Sequence, residues 1–199
     1  MTKILDYYFA TPSPWAYFAT PRIKTMQKKY NLKINWKPCN LAKIFSINGT
    51  LNVKDRPQPV QINRINELKR WSNFLNMPNS INPKYFPVDP TISHKIIIIV
   101  QNKNMNPFNI TFSFMKSVWA DEKDIADDET IKNICKQNNI SSDSILDEAN
   151  SSEINNQYLK NTEEALKNNV WGSPTFIYNN ELFWGQDRIE FLERAIQNS

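Results

Sequence analysis

The chain opens on an alternating pattern, Ile4 to Phe9, whose Ile, Leu, Tyr and Phe residues suit a buried central strand. Ala10-Thr11-Pro12-Ser13-Pro14-Trp15 follows. Ser13 ahead of Pro14 is a helix start: serine serves as N-cap, and proline takes the first helical position, where its missing N–H costs nothing. The spacing predicts a helix to about Tyr30. In Lys33 to Lys37, Ile34 and Trp36 face one way, giving a second strand that Pro38 ends. Strand–helix–strand is the start of an α/β unit with a right-handed crossover.

The middle of the chain carries a different period. Arg64 to Leu75, Thr91 to Val100, Phe108 to Trp119, Asp128 to Gln137, Ser142 to Ala149 and Ser152 to Asn168 all read as helices. Leu41 to Phe45 reads as a loop, and Ser46 to Pro59 as a mobile one. After Gly172 the pattern returns to strands: Thr175 to Tyr178, a turn at Asn179-Asn180 suited to positive φ, and Glu181 to Trp184. Asp187 to Ile196 closes the chain as an amphipathic helix with Ile189, Leu192 and Ile196 inward. The order β-α-β, helical block, β-β-α predicts an α/β, thioredoxin-like domain interrupted by an all-helical insertion. Residues 1–40 and 169–199 form the thioredoxin-like part and 41–168 the insertion.

Composition narrows the chemistry by what is scarce. The 199 residues include 3 Gly, 1 His and 2 Cys. Gly49, Gly172 and Gly185 fit no phosphate-binding glycine loop. A single histidine excludes zinc sites with two His ligands, and no metal site is expected. His94 is read as a structural or surface histidine rather than a general base. Cys39 and Cys135 lie too far apart for a C-x-x-C motif, and read as reduced, buried thiols rather than a disulfide. The net charge of +4 comes from lysines scattered among acids, without the basic–aromatic stripe of a nucleic-acid binder. It suits an anionic small ligand. The longest aliphatic run, Ile96 to Val100, falls far short of the roughly 20 residues that cross a bilayer, and from the strand pattern at Lys3 to Phe9 no signal peptide is expected. A cytoplasmic protein is expected. The abundance of asparagine reads as composition bias without function.

Three stretches carry candidate chemistry. Ser13-Pro14-Trp15-Ala16 stands where a thioredoxin fold places C-x-x-C, so thiol–disulfide exchange is absent there. A hydroxyl at a helix N-terminus can instead hydrogen-bond an anion, and a ligand's thiolate would be stabilised by the same dipole that lowers a helix-terminal cysteine's pKa. In Val170 to Thr175, the proline before a strand faces that helix in such folds through a cis bond, leaving the N–H and C=O of Ser173 free to pair with a peptidic ligand. In Phe183 to Arg188, Gln186 and Asp187 could receive the carboxylate and ammonium of an amino-acid end. Each stretch also has a purely structural reading: Ser13 and Asp187 as N-caps, Pro174 as an ordinary proline at a strand start.

Taken together and in this order, they resemble the 2-hydroxychromene-2-carboxylate isomerase family, relatives of kappa-class glutathione transferases in the DsbA-like thioredoxin superfamily. The resemblance spans nearly the whole chain: Ser13 to Trp15, Leu41 to Phe45, Arg70-Trp71, Asp124 to Asp127, Asn161 to Ala165, Gly172 to Thr175 and Glu181 to Arg188. It implies a glutathione-dependent isomerase of an unsaturated aromatic oxo-acid. Ser13 would hold the glutathione sulfur, Ser173 the cysteinyl backbone, Gln186 and Asp187 the γ-glutamyl end, with Asn48 as a further contact. The thiolate would add to the substrate, a C–C bond would rotate, and elimination would return glutathione unchanged. A homodimer is implied as well. A transferase or peroxidase that consumes glutathione, and a non-catalytic thioredoxin-like binding module, remain alternatives.

Overall fold

The computed structural model describes residues 2–199. Its sheet has four strands, β1 (Ile4–Phe9), β2 (Lys33–Pro38), β3 (Thr175–Tyr178) and β4 (Glu181–Trp184), in the order β2-β1-β3-β4. β1 runs parallel to β2 and antiparallel to β3, and β3 pairs antiparallel with β4. The central place of β1 fits its composition: Leu5, Tyr7, Tyr8 and Phe9 are buried, while Asp6, on the face of Tyr8, pairs with Lys37. Leu5, Tyr7 and Phe9 join the main core, whereas Tyr8 packs on the opposite face with Cys39, Ile44, Ala165 and Val170. Across the sheet Tyr7 is flanked by Trp36 and Phe176, with ring centroids 5.4 and 4.9 Å away. Such aromatic cross-strand pairs fix register. The edge of β2 is covered by Gln101, whose amide bonds both N–H and C=O of Trp36.

Nine helices complete the described residues: α1 (Pro14–Tyr30), α2 (Leu41–Asn48), α3 (Gln58–Leu75), α4 (Thr91–Asn102), α5 (Phe108–Trp119), α6 (Asp128–Gln137), α7 (Ser142–Ala149), α8 (Ser152–Lys167) and α9 (Ile189–Gln197). Three expectations need correction. Leu41 to Phe45 is helical, capped by the Asn40 side chain on the Lys43 N–H and closed by Gly49 at φ 71°. The segment 46–59 is therefore not one loop; it holds the end of α2, a 3-10 turn at Val53–Asp55 and the start of α3. α3 begins six residues before Arg64, on Pro57-Gln58-Pro59, because proline is accommodated in a first helical turn. Asparagine also has a structural use. Of the eight described non-glycine residues with positive φ, seven are asparagine, including the α1 cap Asn31 and both hairpin-turn residues. Asparagine tolerates the left-handed region best after glycine, and it takes glycine's place in a chain with three.

No described helix is long and apolar enough to cross a membrane. Both cysteines are free and buried. Burial pushes the Cys39 thiol up to about 12 and the Cys135 thiol to about 11. Neither should react with Ellman's reagent at pH 8 in the native state, and both should in denaturant; rapid native labelling would contradict this burial.

Candidate functional site

Ser13 caps α1 in extended conformation, and its Oγ accepts from the Ala16 N–H at 3.3 Å. The same hydroxyl donates to the Ser173 carbonyl at 3.0 Å. Ser173 in turn accepts at its Oγ from the Ala10 N–H, also at 3.0 Å. Both serines are buried, and the Ser173–Pro174 peptide is cis. One expectation changes: only the Ser173 N–H lacks a partner among the described residues, because Ser13 occupies the carbonyl. The Trp15 N–H in the first turn of α1 is likewise unpartnered among them. A hydroxyl and two backbone donors therefore stand together at the positive end of a helix, a donor set suited to an anion.

The loop before Ser13 is fixed from several sides. The Thr11 N–H donates to His94 Nε2 at 3.0 Å, and Thr11 Oγ1 meets Ser93 Oγ at 2.8 Å. Trp119 Nε1 donates to the Pro12 carbonyl at 3.2 Å. His94 is fully buried and its Nδ1 lies 3.2 Å from the Tyr158 hydroxyl. Because Nε2 accepts, the neutral ring carries its proton on Nδ1. Burial holds this imidazole far below its ordinary range, at about 3. The ring is a neutral strut for the loop. Thr11 and Trp119 were not foreseen as site residues, since their partners lie on α4 and on the loop 107 residues away.

The other candidates reach the same loops. Gly185 donates its N–H to the Pro174 carbonyl at 2.9 Å, which ties the Gly185–Arg188 turn to the cis-proline segment. Its φ of 103° favours glycine, and a Cβ there would stand 2.4 Å from Asp187 Oδ1. Gln186 is buried, and its carbonyl and Oε1 both accept from Arg22 Nη1, at 2.8 and 3.0 Å. Arg22, on α1, was also not foreseen, because 164 residues separate it from Gln186. Asp187 does not cap the last helix. It lies in a 3-10 turn at Gln186–Arg188, exposed and paired with Arg188 at 2.7 Å. Asn48 is exposed and donates from Nδ2 to the Val170 carbonyl at 3.4 Å.

Trp171 and Trp184 stack at 3.8 Å beside this segment, 42% and 41% exposed. Trp184 lies so close over Gly172 that a Cβ there would meet its Nε1 at 2.2 Å. Trp36 and Trp119 are fully buried core residues, and Trp15 and Trp71 pack partly buried against the core.

A family model described as DSBA-like thioredoxin domain matches residues 4–197. The chain belongs to that family. Proteins similar to this chain include 2-hydroxychromene-2-carboxylate isomerases of Sphingobium xenophagum, 21% identical, and Pseudomonas putida, 23% identical. Both alignments cover 97% of this chain, with 97% and 94% of the relative. Among solved structures, a 2-hydroxychromene-2-carboxylate isomerase superposes with TM-score 0.83 at 20% identity, over 98% of this chain and 95% of that one. The cytosolic disulfide reductase DsbM from Pseudomonas aeruginosa, solved with GSH, superposes with TM-score 0.68 at 12% identity, over 98% and 99%. The thioredoxin-like fold expected from the strand and helix order is the fold of this DSBA-like chain.

Proposed function

We propose that this protein is a glutathione-dependent isomerase acting on an unsaturated aromatic 2-oxo acid of the kind a 2-hydroxychromene-2-carboxylate yields when its ring opens. One observation carries the reading: Ser13, rather than a cysteine, stands at the N-terminus of α1 in hydrogen-bond contact with the residue before a cis-proline. Ala16 fills the place of a resolving cysteine, so this position has no thiol of its own to exchange.

The donor set fits glutathione. The Ser173 N–H is unpartnered among the described residues, as a strand-like contact to a cysteinyl backbone requires. Gln186 and Asp187 would hold the γ-glutamyl end, with Asp187 receiving the ammonium, and Asn48 would approach from α2. When bound, glutathione supplies a nucleophile that can add and leave. The Ser13 hydroxyl has one proton, here given to the Ser173 carbonyl. Turning that proton toward a sulfur anion frees the carbonyl to accept an N–H from the same ligand, so no polar group loses a partner. Arg22 steadies Gln186 from α1, and the His94–Thr11 bond keeps the Ser13 loop from shifting.

The relatives' shared name supports the reaction class, and the neighbour solved with GSH supports the ligand class. The test is stoichiometric. Supplied with 2-hydroxychromene-2-carboxylate and catalytic glutathione, the protein should complete many turnovers while free thiol stays constant. A fall in thiol matching product would make it a transferase instead. Failure to be retained on immobilised glutathione, together with no turnover, would leave a binding module.

A further inference from the structure

Arg64 is a cation with no anion. It lies on α3, one helical turn before the buried Leu68. Its guanidinium covers the rings of Phe86 and Trp119, with Cζ 5.5 and 5.8 Å from the centroids. Its Nη2 is buried and makes no hydrogen bond, and no carboxylate pairs with it among the described residues. The charge that acts on it is Arg56, of the same sign; burial first and Arg56 second pull its pKa down to about 10. Buried guanidinium donors ordinarily find acceptors, since an unpartnered one forfeits its hydration without return. This one has apolar walls and an adjacent positive charge.

Its place in the fold adds the second observation. α3 passes alongside α1: Trp71 lies under Arg22, Cζ to ring centroid 5.9 Å, midway along α1. Arg64, two turns earlier, covers Trp119, and that indole donates its Nε1–H to the carbonyl of Pro12. The orphaned donor is therefore at the N-terminal end of α1, the end that carries Ser13. A partly exposed aromatic ring beside one charged donor suits an aromatic acid.

We infer that Arg64 is the carboxylate-binding residue of the substrate site, receiving the acid group of an aromatic 2-oxo acid beside the half-buried Phe86. The inference rests on the proposed isomerase reading for the substrate class, but not for the chemistry of recognition, which is an aromatic carboxylate. The same carboxylate chemistry is present in glutathione, so the test separates the two sources.

The measurement is equilibrium binding by tryptophan fluorescence, with S-methylglutathione saturating, using trans-2-hydroxycinnamate and its methyl ester as probes. The native protein should bind the acid about 10- to 100-fold more tightly than the ester, the range for one charge-assisted hydrogen bond. In Arg64→Met that preference should vanish while affinity for S-methylglutathione stays within about twofold. Arg64→Lys should recover part of the preference, because ammonium keeps the charge and loses the fork. The melting temperature of Arg64→Met should stay close to that of the native protein, because a half-buried unpaired charge, whose Nη2 alone is enclosed, is replaced by an apolar chain. Three results would overturn the inference: equal affinity of the native protein for acid and ester, an acid preference kept in Arg64→Met, or loss of S-methylglutathione binding in Arg64→Met together with a large drop in melting temperature in both variants. Should the native protein discriminate acid from ester yet turn over no chromene carboxylate, the isomerase reading fails and the Arg64 site stands.

Discussion

Replacing Ser13 by alanine should lower chromene carboxylate turnover roughly 100- to 1,000-fold at saturating glutathione, the range for deleting one donor aimed at a charged reacting atom. Glutathione affinity should change only a few-fold, because the Ser173 N–H and the Gln186–Asp187 turn are untouched. The distinction matters, since Ser13 has two functions in the fold as well. Its Oγ caps the Ala16 N–H and its proton satisfies the Ser173 carbonyl. Loss of the cap costs about 1 kcal/mol, which a melting curve will show without abolishing folding. The decisive readout is the thiolate absorbance of bound glutathione as a function of pH. In the native protein the apparent thiol pKa should lie below that of free glutathione, and in Ser13→Ala it should move back up, by about one unit for every 1.4 kcal/mol of stabilisation lost. A variant that folds, binds glutathione and keeps its turnover would remove Ser13 from the reaction and leave it as a helix cap.

Why Ser13 could be singled out in the sequence, and Arg22 or Arg64 could not, is a matter of range. Ser13-Pro14 is a local signal: cap and first-turn proline specify a helix start within four residues. The cis-proline segment and the Gly185–Arg188 turn are equally local, and their order along the chain sufficed to suggest one sheet edge. The structure ties them by bonds between residues 160 or more positions apart, such as Ser13 to Ser173 and Ala10 to Ser173. Arg22 reads simply as a solvated helix residue until Gln186 is folded onto it. Arg64 has a still weaker signature, since its distinction is the carboxylate it lacks. The helix at Leu41–Asn48 escaped for the opposite reason. Eight residues with a single buried side chain, Ile44, give almost no periodic signal, and the Asn40 cap carries the start. The asparagine-rich composition concealed structure in the same way. Residues such as Asn31 and Asn76 end their helices in the left-handed region, a role visible only once the helix before each is in place.

Acidification should find the weak point of the site loop in His94. The unfolded chain's imidazole takes up a proton near pH 6.5, whereas the folded one, buried and accepting the Thr11 N–H, stays neutral to about pH 3. Between those limits the unfolded state binds the extra proton, so stability falls as pH falls. The loss should reach about 2 kcal/mol between pH 7 and pH 5, at up to about 1.4 kcal/mol per unit. In that window the carboxylates contribute little. Glu193, held low by its bonds from Lys29 and Tyr30, and Asp127, held low by the Thr130 N–H, lose their stabilising effect only as pH falls below the ordinary carboxylate range. Urea midpoints at pH 7, 6 and 5 therefore isolate the imidazole. His94→Gln can still offer an oxygen to the Thr11 N–H but cannot titrate, and its midpoint should be nearly flat across the window. His94→Leu leaves both the Thr11 N–H and the Tyr158 hydroxyl buried without partners, at about 2–6 kcal/mol for the two groups together. That variant should lose its pH slope as well, and turnover should fall with it, because the loop it releases is the one that aims Ser13. Identical slopes for the native protein and His94→Gln would show that another group senses the proton and that His94 only fills space.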